Sequence, residues 1–237
     1  MNDTQFTEQK LKQFDILKGI DRAHYPEILN SGVLTKFKDK KILFHEGDVA
    51  QKCYLVVKGG LKLAKLNEQG KKIIIRYIRP TELIAEVAVL KEKKYPVTAE
   101  ALKKTEVISW DKRTMLRLMR RYPDIAINML ERIFKRIEDV QFRYLELASK
   151  PVEQRIARTL TRLMRQYGKK TKEGVRIDIP ISRQNIAEFC GASHYTVSRT
   201  LSLWGKRGWI ISGREQIAIT EPREIEIIAD ENKIPSF

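Results

Sequence analysis

His194, Tyr195, Ser198 and Arg199 are the side chains of this 237-residue chain best arranged to recognise another molecule. An imidazole, a phenol, a hydroxyl and a guanidinium fall close together within SRQNIAEFCGASHYTVSRTLSLW, Ser182 to Trp204. On a helix, residues three to four apart share a face, so Ser198 and Arg199 stand one turn after His194 and Tyr195. Val197 and Leu201 point the other way. Such a face makes hydrogen bonds to a rigid patterned partner and breaks none of its covalent bonds. Base edges in a DNA groove are such a partner: an arginine pairs bidentately with guanine, and neighbouring side chains reach adjacent bases. Ser193 and Ser198 suit phosphates or bases. Lys206, Arg207 and Arg214 suit phosphates, and Arg183 is counted with them as a DNA contact.

Catalysis is the competing chemistry. Cys190 and His194 are four apart, the spacing of a thiol nucleophile and its base. Gly191 separates them, however, and Cys190 falls on the inward face of its helix, where thiols are inert packing. The chain has no P-loop, dinucleotide glycine motif or zinc-type cysteine spacing. An enzyme is not expected.

The elements that position this face are legible around it. Ser182 is the right residue to cap a helix over Arg183 to Cys190, Gly191 supplies a turn, and Ser193 caps a second helix reaching about Lys206. Ile186, Ala187, Cys190, Ala192, Val197 and Leu201 fill the space between the two helices. This is helix-turn-helix spacing, and in such a unit the second helix enters the major groove. KRGWIISGREQIAIT then reads as two strands around Gly213, a wing.

Charge agrees with a polyanion partner. Net charge is +16, with 46 basic and 30 acidic residues, a balance that favours nucleic acid. Residues 150–214 hold 14 basic and 4 acidic residues, and the remainder of the chain 2 and 6. Two cysteines make neither a disulfide framework nor a four-cysteine cluster site. The polar N-terminus MNDTQFTEQKLKQF lacks the apolar core of a signal peptide, and no apolar run reaches the ~18 residues of a membrane span. The expected compartment is the cytoplasm, with no membrane partner.

Upstream, residues 1–30 read as a helical lead-in interrupted by Pro26. Val33 to Trp110 has β texture, short β-branched runs punctuated by Gly47, Gly59, Gly60 and Gly70, as in a sandwich or barrel. Asp111 caps a helix that ends before Pro123. One uninterrupted helix is predicted over Pro123 to Lys150. Within it Leu130, Ile133, Ile137, Val140, Tyr144 and Leu147 recur every 3.5 residues, the seam of a coiled coil, which predicts a homodimer. Glu131, Arg132, Lys135, Arg136, Glu138 and Asp139 are assigned to its outer face. Pro151 marks a hinge, a helix follows with Ile156, Leu160 and Leu163 inward, KKTKEG reads as a polar loop, and VRIDIPI as a strand. The domains are thus 1–122, 123–150 and 151–237.

Over nearly its whole length the chain resembles the CRP/FNR superfamily of bacterial transcription regulators. LFHEGDVAQKCYLVVKGGLKLAKLNEQGKK is similar to the turns of the family's cyclic-nucleotide-binding β-roll, the long helix to its dimer helix, and SRQNIAEFCGASHYTVSRTL to its helix-turn-helix. The fold implied is α+β: an N-terminal cyclic-nucleotide-binding-like β-roll, a long dimerisation helix and a C-terminal winged helix-turn-helix. The resemblance implies a homodimer on a palindromic double-stranded DNA operator, contact with RNA polymerase, and control by a small-molecule effector bound in the β-roll. Arg199 matches the arginine that closes the recognition motif. Tyr195 stands where the oxygen-responsive branch has glutamate, and His194 where the catabolite-activator type has arginine. HYTVSR is more similar to the halophenol- and nitrogen-oxide-responsive branches.

In cyclic-AMP members the effector cassette has a Gly-Glu pair and then an Arg-Ser pair. Here AEVAVLKEKKYPVTAEAL keeps Glu86, but has Ala85 for the glycine and Tyr95 and Pro96 for the arginine and serine. A cyclic phosphate needs a cationic or N–H-rich cradle, so cyclic AMP is not expected. The matching helix positions are Val140 and Gln141. The N-terminal segment has no cysteine for an iron–sulfur cluster. Haem needs only one ligand, for which His24, His45 and Cys53 are the candidates. The expected pocket of Glu86, Tyr95, Pro96, Val140 and Tyr144 suits a neutral, aromatic or haem-like effector. A small organic acid and no effector at all remain open, the second making the chain an architectural DNA-binding protein.

Overall fold

The computed structural model describes residues 14–70 and 72–230. The chain divides into two compact units, residues 1–138 and 139–237. That division cuts the long helix, whereas the sequence-based boundaries follow the helix ends. The part of the expected helical lead-in over residues 1–13 lies outside the described residues.

The first unit is built on one antiparallel sheet. Its strands are β1 (Val33–Phe37), β2 (Ile42–Phe44), β3 (Lys52–Leu66), β4 (Lys72–Ile78), β5 (Leu83–Ile84) and β6 (Thr98–Asp111). The path runs β1-β6-β3-β4, with β2 on β6 and β5 on β3. The long strands β3 and β6 change register near Gly59. Gly59 sits at φ +80°, and a Cβ there would lie 2.5 Å from the Lys104 carbonyl oxygen. Only glycine permits that bend. The sheet encloses Leu55, Val56, Leu61, Val107, Ile108 and Trp110.

Short helices flank the sheet: α1 (Tyr25–Asn30), α2 (Glu86–Leu90) and α3 (Lys112–Arg121). Pro26 does not interrupt a helix; it opens α1, where a missing N–H costs nothing and the fixed φ suits the first turn. Asp111 caps α3 as predicted, accepting the Thr114 N–H at 2.7 Å.

The long helix α4 (Pro123–Ser149) buries Ile125, Asn128 and Met129 in the first unit. The Asn128 side-chain amide donates to the carbonyls of Ile16 (3.1 Å) and Lys18 (2.8 Å). Arg132 and Arg136 continue that inward line, pairing with Asp15 and Glu86. Their assignment to the outer face is therefore corrected. A guanidinium on a long stem can bury that stem and reach a carboxylate, exposed at Asp15 and buried at Glu86, from a position that charge alone assigns to solvent. Leu130, Ile137, Val140, Tyr144 and Leu147 are exposed, with Ile127, Phe134, Phe142 and Leu145 beside them; Ile133 is half-buried.

The second unit contains α5 (Val152–Tyr167), a sheet of β7 (Gly168–Thr171), β8 (Gly174–Ile177), β10 (Gln216–Ile219) and β9 (Ile210–Gly213) in that order, and α6 (Arg183–Cys190), α7 (His194–Lys206) and α8 (Pro222–Asp230). KKTKEG is not a loop: it supplies most of β7 and the turn into β8. An edge strand exposed at every position shows no apolar alternation. The acidic segment after Glu215 holds a helix, α8, whose Ile225 and Ala229 are buried. Ile156, Leu160 and Leu163 of α5 point inward as expected, and join Ile186, Ala187, Cys190, Val197, Leu201 and Trp204 in one core.

Candidate nucleic-acid interface

Both helices of the reading unit start and stop on side-chain chemistry. The Ser182 hydroxyl accepts the Asn185 N–H at 3.1 Å, while Asn185 Oδ1 accepts the Ser182 N–H at 2.9 Å. This reciprocal box satisfies two donors otherwise orphaned at a helix start. Gly191 ends α6 at φ +62°, and a Cβ there would sit 2.3 Å from Leu147 Cδ2. Ser193 caps α7 by accepting the Thr196 N–H at 3.0 Å.

A residue that sequence reasoning missed holds the turn in place. Arg155 of α5 donates to the carbonyls of Cys190 (2.9 Å), Gly191 (3.0 Å) and Lys150 (3.0 Å). These are orphan acceptors at two helix ends, and one guanidinium satisfies all three. An arginine in an amphipathic helix carries no sequence signal for that task. Behind it Trp204 is fully buried, its indole N–H donating to Glu153 at 3.2 Å.

The predicted face is on the outside. Ser193, His194 and Arg199 are exposed, Tyr195 is 73% exposed, and Ser198 is half-buried at its edge. Arg199, Lys206 and Arg214 are exposed and have no ion pair among the described residues. Arg214 is at the β9–β10 turn. Arg207 is exposed with its guanidinium 4.8 Å from the centre of the Trp209 ring. Arg183 is placed differently. It donates to the hydroxyls of Ser202 (3.2 Å) and Ser212 (2.8 Å), bracing α6 against α7 and the wing.

Part of the local positive charge is likewise paired within the unit. Arg158 and Arg162 pair with Glu146, Arg165 with Glu226, and Lys169 and Arg176 with Asp178. Lys170, Lys172, Arg199, Lys206, Arg207, Arg214 and Arg223 are the exposed basic residues of the second unit left without an ion pair among the described residues. Burial raises the pKa of the Cys190 thiol, though Arg155 opposes this. A protonated, buried thiol is a poor nucleophile.

The cassette residues also have assignments. Glu86 is 2% exposed, and its Oε1 accepts from Arg136 Nη1 at 2.7 Å. Arg136 Nη2 donates to the Leu83 carbonyl at 2.8 Å. Ala85, in the glycine position of the cyclic-AMP pattern, is in the left-handed region at φ +65°. Tyr95 does not offer its hydroxyl to a ligand. The ring is 4% exposed and stacks on Phe44, and the hydroxyl donates to the Lys52 carbonyl (2.8 Å) and accepts the Lys52 N–H (3.1 Å). Pro96 is exposed. Val140 and Tyr144 are exposed on α4. The group facing Glu86 is therefore a guanidinium, and the expectation of an apolar lining is revised there.

The haem candidates are unlike one another. His24 is exposed and lies against Tyr122, and His45 is exposed in a turn. Cys53 is wholly buried, and burial followed by the nearby Glu86 charge pushes its thiol up to about 12. No group of three or more His, Cys, Asp or Glu side chains that could hold a metal ion occurs among the described residues. No helix among them is long and apolar enough to cross a membrane.

Comparison with known proteins agrees with both halves of the chain. A family model for the cyclic nucleotide-binding domain matches residues 34–122, and one for the Crp-like helix-turn-helix domain matches residues 154–226. The global nitrogen regulator of Synechocystis sp. is 26% identical over 217 residues, covering 91% of this chain and 96% of that protein. The cyclic AMP receptor protein of Thermus thermophilus is 28% identical over 189 residues, covering 80% and 84%. Among solved structures, the Thermus thermophilus catabolite activator protein matches with a TM-score of 0.54 and 25% identity, over 91% of this chain and 98% of that one.

Proposed function

The chain belongs to the CRP/FNR superfamily of transcription regulators, and we propose that it acts as a cytoplasmic homodimer reading a palindromic operator and engaging RNA polymerase there. The observation that carries this is the outward face of α7, where Arg199 stands free with His194 and Tyr195 one turn earlier. In this reading Arg199 pairs with guanine, Tyr195 and His194 meet neighbouring bases, and Ser193, Ser198, Lys206, Arg207 and Arg214 meet phosphates and base edges. Arg183 contributes by holding α7 and the wing in register. The exposed stripe of α4 is the dimer seam, and Pro151 is the proposed hinge between α4 and α5.

The regulating ligand in this proposal is a small molecule at the cassette, and it is not cyclic AMP. Tyr95 and Pro96 replace the charged cradle, and the Tyr95 hydroxyl is already committed to the Lys52 backbone. One observation favours a second reading in which no effector is needed: Arg136 already joins Glu86 to α4, so the chain supplies its own cassette-to-helix bridge. DNA binding by ligand-free protein at full affinity would select that reading.

The test of the main proposal is an operator selected from random duplexes by the purified protein. Arg199→Ala should cost about 1–3 kcal/mol and relax preference at one base pair in each half-site, whereas Lys206→Ala should weaken all sequences alike. Unchanged affinity and base preference in Arg199→Ala would remove α7 from the recognition role.

A further inference from the structure

The last turn of α4 is built into the reading unit. Glu146 accepts from Arg162 at 2.7 and 2.8 Å and from Arg158 at 3.5 Å, which ties α4 to α5. Arg155 Nη1 donates to the carbonyls of Lys150 (3.0 Å) and Leu147 (3.5 Å) at the end of α4. Its Nε and Nη2 donate to those of Cys190 (2.9 Å) and Gly191 (3.0 Å) at the end of α6. The Leu147 side chain occupies the space that a side chain at Gly191 would fill. Gly191 stands just before Ala192 and Ser193, the cap of α7. All of these residues belong to the second compact unit. Leu147 is also 49% exposed and closes the apolar stripe of α4. One side of it lies on the turn that starts the reading helix, and its remaining surface faces outward in the stripe.

We propose that Arg155 and Leu147 are positioning residues for operator reading: they fix the turn before α7 to the end of the dimer helix, and so set the spacing at which two copies of α7 meet DNA. Neither reads a base. The proposal rests on α7 being the reader and α4 the seam. The buried side chains of α7 are Val197, Leu201 and Trp204. None of them lies among its first three residues, which are the ones that meet base edges. That end of α7 is held instead by Ser193 and by the turn before it. A guanidinium suits the task because its donors are fixed in one rigid fork, so two helix ends bonded to it keep one separation; an ammonium is a point charge on a flexible stem. The clamp also spans Pro151, so a turn at that hinge breaks the Arg155 bonds to Lys150 and Leu147.

The experiment measures affinity for the selected operator, for the same operator with one base pair inserted between its half-sites, and for a duplex of unrelated sequence. The insertion turns one half-site by about 35°. The proteins are the full chain and its Arg155→Met, Arg155→Lys and Leu147→Ala variants, each held below its melting temperature and at a concentration where sedimentation shows a dimer. Arg155 is outside the stripe, so its variants test the clamp even where Leu147→Ala weakens the dimer. Wild type should lose about tenfold or more on the insertion. In Arg155→Met and Leu147→Ala, operator affinity should fall about tenfold, as when about one molecule in ten holds α7 in place. The insertion penalty should shrink in both, and affinity for the unrelated duplex should stay, since phosphate contacts supply it. Arg155→Lys keeps the charge without the fork and should stay impaired. Full recovery in Arg155→Lys would show that charge alone acts, which overturns the proposal. An insertion penalty equal to wild type in both Arg155→Met and Leu147→Ala also overturns it and, with base preference intact, leaves α7 as the reader. Wild type without preference for base or spacing overturns the reader itself, and the proposal with it.

Discussion

Ile137→Glu should convert the protein to monomers at micromolar concentration. Ile137 is 48% exposed in the single chain and sits mid-way along an apolar stripe from Ile127 to Leu147. In a seam between two copies of α4, each Ile137 would lose its remaining exposure, and a fully buried isoleucine contributes about 1.5–3 kcal/mol. Half of that, about 0.75–1.5 kcal/mol, is lost from each copy. The larger penalty is the carboxylate. An unpaired charge buried at the seam costs about 3–5 kcal/mol. The group can instead protonate, which at pH 7 costs about 3.7 kcal/mol from an ordinary pKa near 4.3. Two copies therefore lose about 9–10 kcal/mol, on the order of 10⁷ in the dimer dissociation constant. Sedimentation equilibrium measures it directly. The pH dependence is a second signature. The glutamate pKa would be raised in the dimer, so dimerisation of the variant should recover as pH falls towards 5 and disappear as pH rises. An unchanged dimer at pH 7, or a monomer indifferent to pH, would refute the seam.

Three further outcomes follow from the structure. Calorimetric titration of the protein with cyclic AMP should show no micromolar binding and no tightening on operator DNA; a micromolar site that tightens operator binding would overturn the reading of Tyr95 and Pro96. Arg155→Met should lower the stability of the reading unit by about 1–3 kcal/mol, because up to three carbonyls lose their donor, visible as a lower Tm and, on operator DNA, a weaker complex. Cys53 should resist alkylation in folded protein at pH 8–9, since its thiol stays protonated up to about 12. Its contribution to stability is therefore complete below the unfolded value near 9.0 and is lost as pH rises from there towards 12; Cys53→Ala should flatten that alkaline loss in a denaturation series.

Sequence alone was sufficient wherever a local rule governs. Ser182, Gly191 and Ser193 delimit α6 and α7 because caps and left-handed turns depend on residues a few positions apart. The β texture from Val33, the Asp111 cap, the long uninterrupted helix and the wing around Gly213 are local for the same reason. Tertiary structure decided what depends on partners distant in the chain. Arg132 and Arg136 read as solvent charges on a helix, yet Asp15 and Glu86 draw them inward. Arg183 reads as a DNA contact, yet the hydroxyls of Ser202 and Ser212 hold it inside the domain. Tyr95 reads as a pocket residue, yet Phe44 and the Lys52 backbone bury it. β7 had no apolar pattern to reveal it. Each case has one physical cause: a long or amphipathic side chain, or an edge strand, takes its environment from groups brought near only by the fold, and hydrophobic periodicity carries no record of them.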